Sequence, residues 1–181
     1  PVLTEQAWYQ DEPKFIIPCY KGGHNWMPMS FSPQTGYVYI PEIVHGMIYG
    51  SLESYEYEKL KFNSGLGGVG GASEYPYSEN TLKYTEGQLG TVPKDFLSAW
   101  DPVRQQSVWR VEQTTPNGNG GILSTAGNLV FQGVNTGYLK IYNATNGKLL
   151  KEIETGTGIL AAPMSYKVEG TQYIAVMAGF G

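Results

Sequence analysis

Pro28-Met29-Ser30-Phe31, followed by Thr35-Gly36 and Tyr37-Val38-Tyr39-Ile40, returns later as Pro163-Met164-Ser165-Tyr166, Glu169-Gly170 and Tyr173-Ile174-Ala175-Val176. Each copy joins a short segment to a β-rich one through a glycine turn, the pattern of an antiparallel strand pair. Glycine suits the turn because it reaches backbone angles that a Cβ disfavours. The copies start 135 residues apart. That offset reads as three periods of about 45, the spacing of short-stranded sheets repeated around a centre. Ser124-Thr125-Ala126-Gly127-Asn128-Leu129-Val130-Phe131 carries the same strand-turn-strand plan, at about two periods from the first.

Composition agrees with an all-β chain. Its 181 residues include 24 Gly, 11 Pro, 14 Tyr and 4 Trp, with 15% charged. Aromatics and glycine at this density favour short strands joined by tight turns. Blades of about 45 residues divide the chain into about four four-stranded antiparallel sheets. Only Asp95-Phe96-Leu97 hints at a turn of helix, and Ser54 to Lys61 alternates like an exposed strand. Ser64-Gly65-Leu66-Gly67-Gly68-Val69-Gly70-Gly71 lacks the Gly-Lys-Ser/Thr ending of a phosphate loop. The stretch around 62–92 therefore reads as a flexible Gly-rich insertion.

Several function classes are excluded by the residues present. A net charge of −4, with no run of Lys or Arg, offers no footprint for nucleic acid. Cys19 stands alone, so no disulfide closes within the chain and no haem-attaching CxxCH occurs. No apolar run approaches the roughly 18 residues of a membrane span. Neither a Gly-x-Ser-x-Gly elbow nor an HExxH helix is found. Asp11/Glu12 and Glu152/Glu154 read as solvated charges, so no catalytic residue and no metal ligand is assigned. The chain opens at Pro1 without an initiator Met, which reads as a piece of a longer polypeptide.

The candidate site precedes the first repeat: Gly22-Gly23-His24-Asn25-Trp26-Met27. Two glycines let backbone approach a ligand closely, and an amide beside an indole suits the edge of a flat polar molecule. A Trp in a sheet protein is also a common core residue. His24 reads as structural, since His45 is the only other histidine. Asn119-Gly120-Gly121 and Thr157-Gly158-Ile159-Leu160-Ala161-Ala162 are second candidates, because both precede inner-strand patterns.

The Gly22–Ser30 segment resembles the bacterial pyrroloquinoline quinone (PQQ)-dependent alcohol dehydrogenases, particularly the quinohaemoprotein type. Ala99-Trp100-Asp101 through Trp109 is similar to the AxDxxxGxxxW docking motif of their propellers, with Gln105 where Gly is usual. Ile141-Tyr142-Asn143 through Gly147 and Lys151 is a degenerate second copy. The resemblance covers nearly the whole chain and implies that residues 1–181 are the C-terminal half of an eight-bladed propeller. It implies that Asn25 and Trp26 contact the quinone, with the backbone near Ile159 and Leu160 beside it. It places the catalytic Asp and the ligands of a Ca²⁺ or lanthanide ion upstream, so this chain alone is expected to be inactive. It further implies remaining N-terminal blades, in the same parent chain or a second polypeptide, a small alcohol substrate, a cytochrome c acceptor or a haem c carried elsewhere in the parent, and a periplasmic location. The alternative is a non-catalytic PQQ-repeat propeller that serves as a protein-interaction scaffold.

Overall fold

A computed structural model of the chain describes residues 8, 13–50, 54–61, 63, 93–115 and 118–179. Among them all regular structure is β: β1 (Lys14–Ile16), β2 (Ser30–Ser32), β3 (Tyr37–Val44), β4 (Met47–Tyr49), β5 (Lys94–Asp101), β6 (Gln106–Glu112), β7 (Asn119–Thr125), β8 (Leu129–Val134), β9 (Tyr138–Asn143), β10 (Leu149–Glu154), β11 (Met164–Val168) and β12 (Thr171–Ala175). They form four antiparallel sheets, two of four strands and two of two. The chain divides into two compact units, residues 1–22 with 44–93, and residues 23–43 with 94–181.

In the first unit β1 pairs with β4, and Gly46 lets the Phe15 ring lie where a Cβ would stand. Ser54–Lys61 forms no strand; it is irregular chain with a turn at Lys59-Leu60, where Asn63 accepts from Glu58 N and donates to Glu58 O and Lys61 O. That side chain replaces the ladder partner the alternation would need. The Gly-rich insertion expected around 62–92 lies outside the described residues, Asn63 apart.

The second unit holds the repeated sheets. The first has the order β2-β3-β5-β6 and the second β10-β9-β8-β7, while β11 pairs with β12 alone. The two copies of the Pro-Met-Ser repeat open β2 and β11, with turns at Gly36 and Glu169-Gly170 as expected. Their 135-residue separation, however, spans two sheets rather than three periods, because residues 45–93 interrupt the first sheet between β3 and β5. Asp95-Phe96-Leu97 belongs to β5, not to a helix. A central strand buried on both faces shows a continuous apolar run, which periodicity cannot separate from a short helix.

Two apolar layers hold the sheets together. Tyr39, Leu97 and Ala99 of the first sheet meet Ile122, Val130, Tyr142 and Ala144 of the second, with Trp109 and Val111 at the margin. Phe131, Leu139 and Ile141 of the second sheet meet Ile159, in the loop ahead of β11, Ile174 of β12 and Val176 just after it. The Tyr39 hydroxyl bonds Thr35 Oγ1 at 2.8 Å and donates to Ala144 O at 3.0 Å. Burial raises the Tyr39 and Tyr142 hydroxyls above the ordinary phenol value, so both stay neutral. The third sheet keeps an apolar surface exposed, with Met164, Val168 and a stacked Tyr166–Tyr173 pair at 5.4 Å between ring centres.

The docking turns explain how neighbouring sheets register. Asp101 Oδ1 accepts from Val103 N and Arg104 N, and Asn143 Oδ1 accepts from Thr145 N and Asn146 N, so both copies build the same Asx turn. The Trp109 indole crosses from the first turn to the second, where Nε1 donates to Ala144 O at 3.0 Å. The ring also packs on Gly147, at which a Cβ would lie 2.6 Å from it. Gly147 has φ +70°, and its counterpart Gln105 is held at φ +53°. A left-handed backbone costs a non-glycine residue about 1–2 kcal/mol. Gln105→Gly should therefore stabilise the folded protein by about 1 kcal/mol, whereas Gly147→Ala should cost about 2–4 kcal/mol through strain and overpacking. Thermal melting of both variants checks the pair, and a lower melting temperature for Gln105→Gly would contradict the assignment.

Candidate functional site

The stretch Gly23–Met29 leads into β2 and is tied at both ends by main chain. Ile43 N donates to Gly23 O at 2.8 Å, and Ile122 N donates to Pro28 O at 3.0 Å. Met27 is buried and anchors the middle. Asn25 Oδ1 accepts from Trp26 N at 2.8 Å, a local bond that fixes the way the amide faces. Trp26 is 64% exposed and Asn25 is exposed beside it. The core reading of Trp26 therefore fails, since an indole left this wet contributes little packing.

His24 lines up behind the pair. Its Nδ1 lies 3.1 Å from Pro41 O, and a carbonyl can only accept, so the ring carries its hydrogen on Nδ1. The imidazole also borders a cavity of about 420 Å³ lined by Ile40, Glu42, Ser98, Trp100 and Arg110. There Arg110 grips Glu42 through two bonds, Nε to Oε2 at 2.9 Å and Nη2 to Oε1 at 2.6 Å, while Ser98 Oγ donates to Oε2 at 2.5 Å. The guanidinium lies 3.5 Å from the centre of the Phe96 ring. This cluster was not legible in the sequence, because Glu42 and Arg110 meet only through the lateral order β3-β5-β6. Among the described residues no three His, Cys, Asp or Glu side chains converge as a metal site.

The second candidate loop sits on the other side of β7. Leu160 O accepts from Gly121 N at 3.1 Å, next to the amide that holds Pro28 O. Ile159 is wholly buried; its N donates to Val134 O at 3.0 Å and its side chain fills the space over Gly133. A Cβ on Gly120 would stand 2.7 Å from Ile159 O, and one on Gly121 2.8 Å from Ala162. The Gly120-Gly121 pair is thus a close-approach device within a strand, not a turn. The structure brings the Asn25–Trp26 loop and the Ile159–Leu160 loop to successive residues of β7, but the Ile159 side chain belongs to the core.

Asn119 is likewise structural. It is buried, and its Nδ2 donates to Glu42 O at 2.9 Å and Phe96 O at 3.2 Å. Those two carbonyls force its Oδ1 to accept, from Gln132 Nε2 at 2.9 Å, and Gln132 Oε1 then accepts from Gln113 Nε2 at 3.3 Å. The one-way relay joins the two four-stranded sheets and ends on Gln113 Oε1, a buried acceptor with no donor among the described residues. Asn119→Asp should set a carboxylate against two carbonyl oxygens and cost about 2–4 kcal/mol. Denaturation of the variant checks this, and wild-type stability would remove Asn119 from the relay.

Residues 5–174 match the family described as glucose/ethanol/alcohol dehydrogenase, beta-propeller domain, the PQQ family. The chain belongs to that family. It is 39% identical over 181 residues to the quinohemoprotein alcohol dehydrogenase ADH IIB of Pseudomonas putida, and 40% identical over 182 to the quinohemoprotein alcohol dehydrogenase of Comamonas testosteroni. Each match takes in 100% of this chain and 24% of the relative, so the chain spans about a quarter of the length of these proteins. The crystal structure of the Comamonas enzyme superposes with a TM-score of 0.74 at 36% identity, over 93% of this chain and 24% of that one. A europium-containing methanol dehydrogenase superposes at 0.72 with 26% identity, over 92% and 27%. The sheets of the second unit are accordingly propeller blades of the PQQ family, and the resemblance read from Gly22–Ser30 and the docking motif holds.

The residues at the candidate site suit the group the family is named for. PQQ is flat, with carboxylates and carbonyls around its edge. An exposed amide and an indole supply hydrogen-bond donors and an aromatic surface for such an edge. At Gly23 a Cβ would meet only Ile43 O, at 4.0 Å, so the loop is open on that side.

Proposed function

We propose that this chain is part of a PQQ-dependent dehydrogenase that oxidises alcohols to aldehydes or ketones, and that Asn25 and Trp26 help to hold the quinone. The observation that carries the reading is an Asn–Trp pair left exposed while the chain on both sides of it is hydrogen-bonded to strands β3 and β7. When bound, PQQ supplies the two-electron oxidising power for the alcohol. The Asn25 amide donates to a carboxylate or carbonyl of the quinone edge, and Trp26 covers part of that edge from water. Preorganisation does the rest, since a loop already fixed loses little freedom on binding. The backbone near Ile159 and Leu160, tied to β7 by the bond from Gly121 N to Leu160 O, touches the quinone as well.

The parent's acid–base residue, and the ligands for a Ca²⁺ or lanthanide ion, belong to blades outside this chain. The exposed apolar surface of β11–β12 supports the view that further blades cover it. Relatives named as quinohemoproteins, and a 1-butanol dehydrogenase (cytochrome c) of Thauera butanivorans at 36% identity, support a haem or cytochrome c as the electron acceptor. We also propose a bacterial periplasmic location, as the family resemblance implies. A scaffold propeller would have no use for an exposed Asn–Trp pair, and the relatives are named as dehydrogenases.

The test is quinone binding by the full-length parent. Asn25→Ala should weaken PQQ retention by roughly 5- to 150-fold, the loss of about 1–3 kcal/mol of hydrogen bonding, with the melting temperature of the apoprotein unchanged. Equilibrium dialysis against PQQ measures it. Equal affinity in wild type and variant would take Asn25 out of the site.

A further inference from the structure

We infer that His24 is a positioning residue for the Asn25–Trp26 pair, an inference that rests on the quinone reading of that pair. Three successive residues of β3 are engaged from outside its ladder: Pro41 O by His24 Nδ1, Glu42 O by Asn119 Nδ2, and Ile43 N by Gly23 O. The first and third of these bonds come from adjacent residues, Gly23 and His24. They clamp the start of the loop to the end of β3, one residue before Asn25. The far end is clamped by Pro28 O on Ile122 N. Between the clamps lie Asn25, Trp26 and buried Met27.

The energetic consequence follows from chain entropy. Releasing one residue's backbone makes its ordering on binding cost about 1–2 kcal/mol. With His24 in place that ordering is already done before the quinone arrives. The ring also has support of its own, because it lines the same cavity as Glu42 and Arg110, whose paired bonds keep that wall rigid. What matters in this account is a donor at the Nδ1 position. The Nε2 atom has no part in it.

That distinction sets the experiment. Asn places its amide nitrogen where Nδ1 stands, whereas Gln reaches the Nε2 position and Phe keeps only the ring shape. In the full-length parent prepared without quinone, PQQ is titrated into wild type, His24→Asn, His24→Gln and His24→Phe, with quenching of tryptophan fluorescence as the readout and apoprotein melting as control. We expect His24→Phe and His24→Gln to bind about tenfold more weakly, and His24→Asn to stay within about twofold of wild type. If His24→Phe fails to fold, the comparison of Asn with Gln decides the matter alone. Equal affinity in all variants overturns the inference while leaving the quinone reading intact. Affinity kept by Gln and lost by Asn also overturns it, since that pattern marks a direct contact through Nε2. No PQQ binding by wild type overturns the quinone reading and this inference together.

Discussion

Two consecutive amides of β7 govern the arrangement of this chain. Gly121 N is bound to Leu160 O and Ile122 N to Pro28 O, so one edge strand draws in the loops that lead to β11 and to β2. The approach is close enough that Gly120 and Gly121 have no room for a Cβ. A side chain at either position would push the Ile159–Ala162 stretch outward, and the next amide along, Ile122 N, holds the loop that carries Asn25 and Trp26. Backbone hydrogen bonds of this kind are worth little net energy when made, but leaving one unmade in a buried place is expensive. Strand β7 therefore fixes geometry more than it adds stability.

Stability comes from the layers between sheets. The first sheet turns Tyr39, Leu97 and Ala99 toward the second, and Trp109 reaches across to a carbonyl of the next docking turn. At the second turn Lys151 stands where the motif has Trp, and β10 remains exposed along its length. The contrast shows how one motif serves two purposes. Its Asx turn shapes each blade, while its indole links one blade to the next, and only the first copy retains both. The polar relay from Asn119 to Gln113 lies beside the apolar layer and has a forced direction, so it specifies how the two sheets meet rather than simply filling space.

Much of this was legible in the residues. The Pro-Met-Ser repeats mark strands β2 and β11, the glycine turns fall where expected, and the docking motif identifies Trp109 as an inter-sheet group. Four sheets are present as expected, but the spacing of the Pro-Met-Ser copies does not count them, because residues 45–93 fall in the chain between β3 and β5 and a fixed period has no means of revealing an insertion between two paired strands. Asp95-Phe96-Leu97 looked helical because a strand covered on both faces loses its alternation. At the site, Asn25 and Trp26 could be named from their neighbours, but not that the indole would be exposed. The Glu42–Ser98–Arg110 cluster and the His24–Pro41 bond were hidden for a simpler reason. Both depend on which strands lie side by side, and pairing across 17 to 68 residues leaves no local trace.

The central claim is that strand-anchored chain presents a ready-made pair of side chains to the quinone. Hydrogen–deuterium exchange of the full-length parent, with and without PQQ, tests it most directly. The account predicts that peptides covering residues 23–28 are already protected in the apoprotein and gain further protection with PQQ, while peptides from β9 and β10 do not change. Fast exchange of 23–28 in the apoprotein, or no response there to bound quinone, would contradict it.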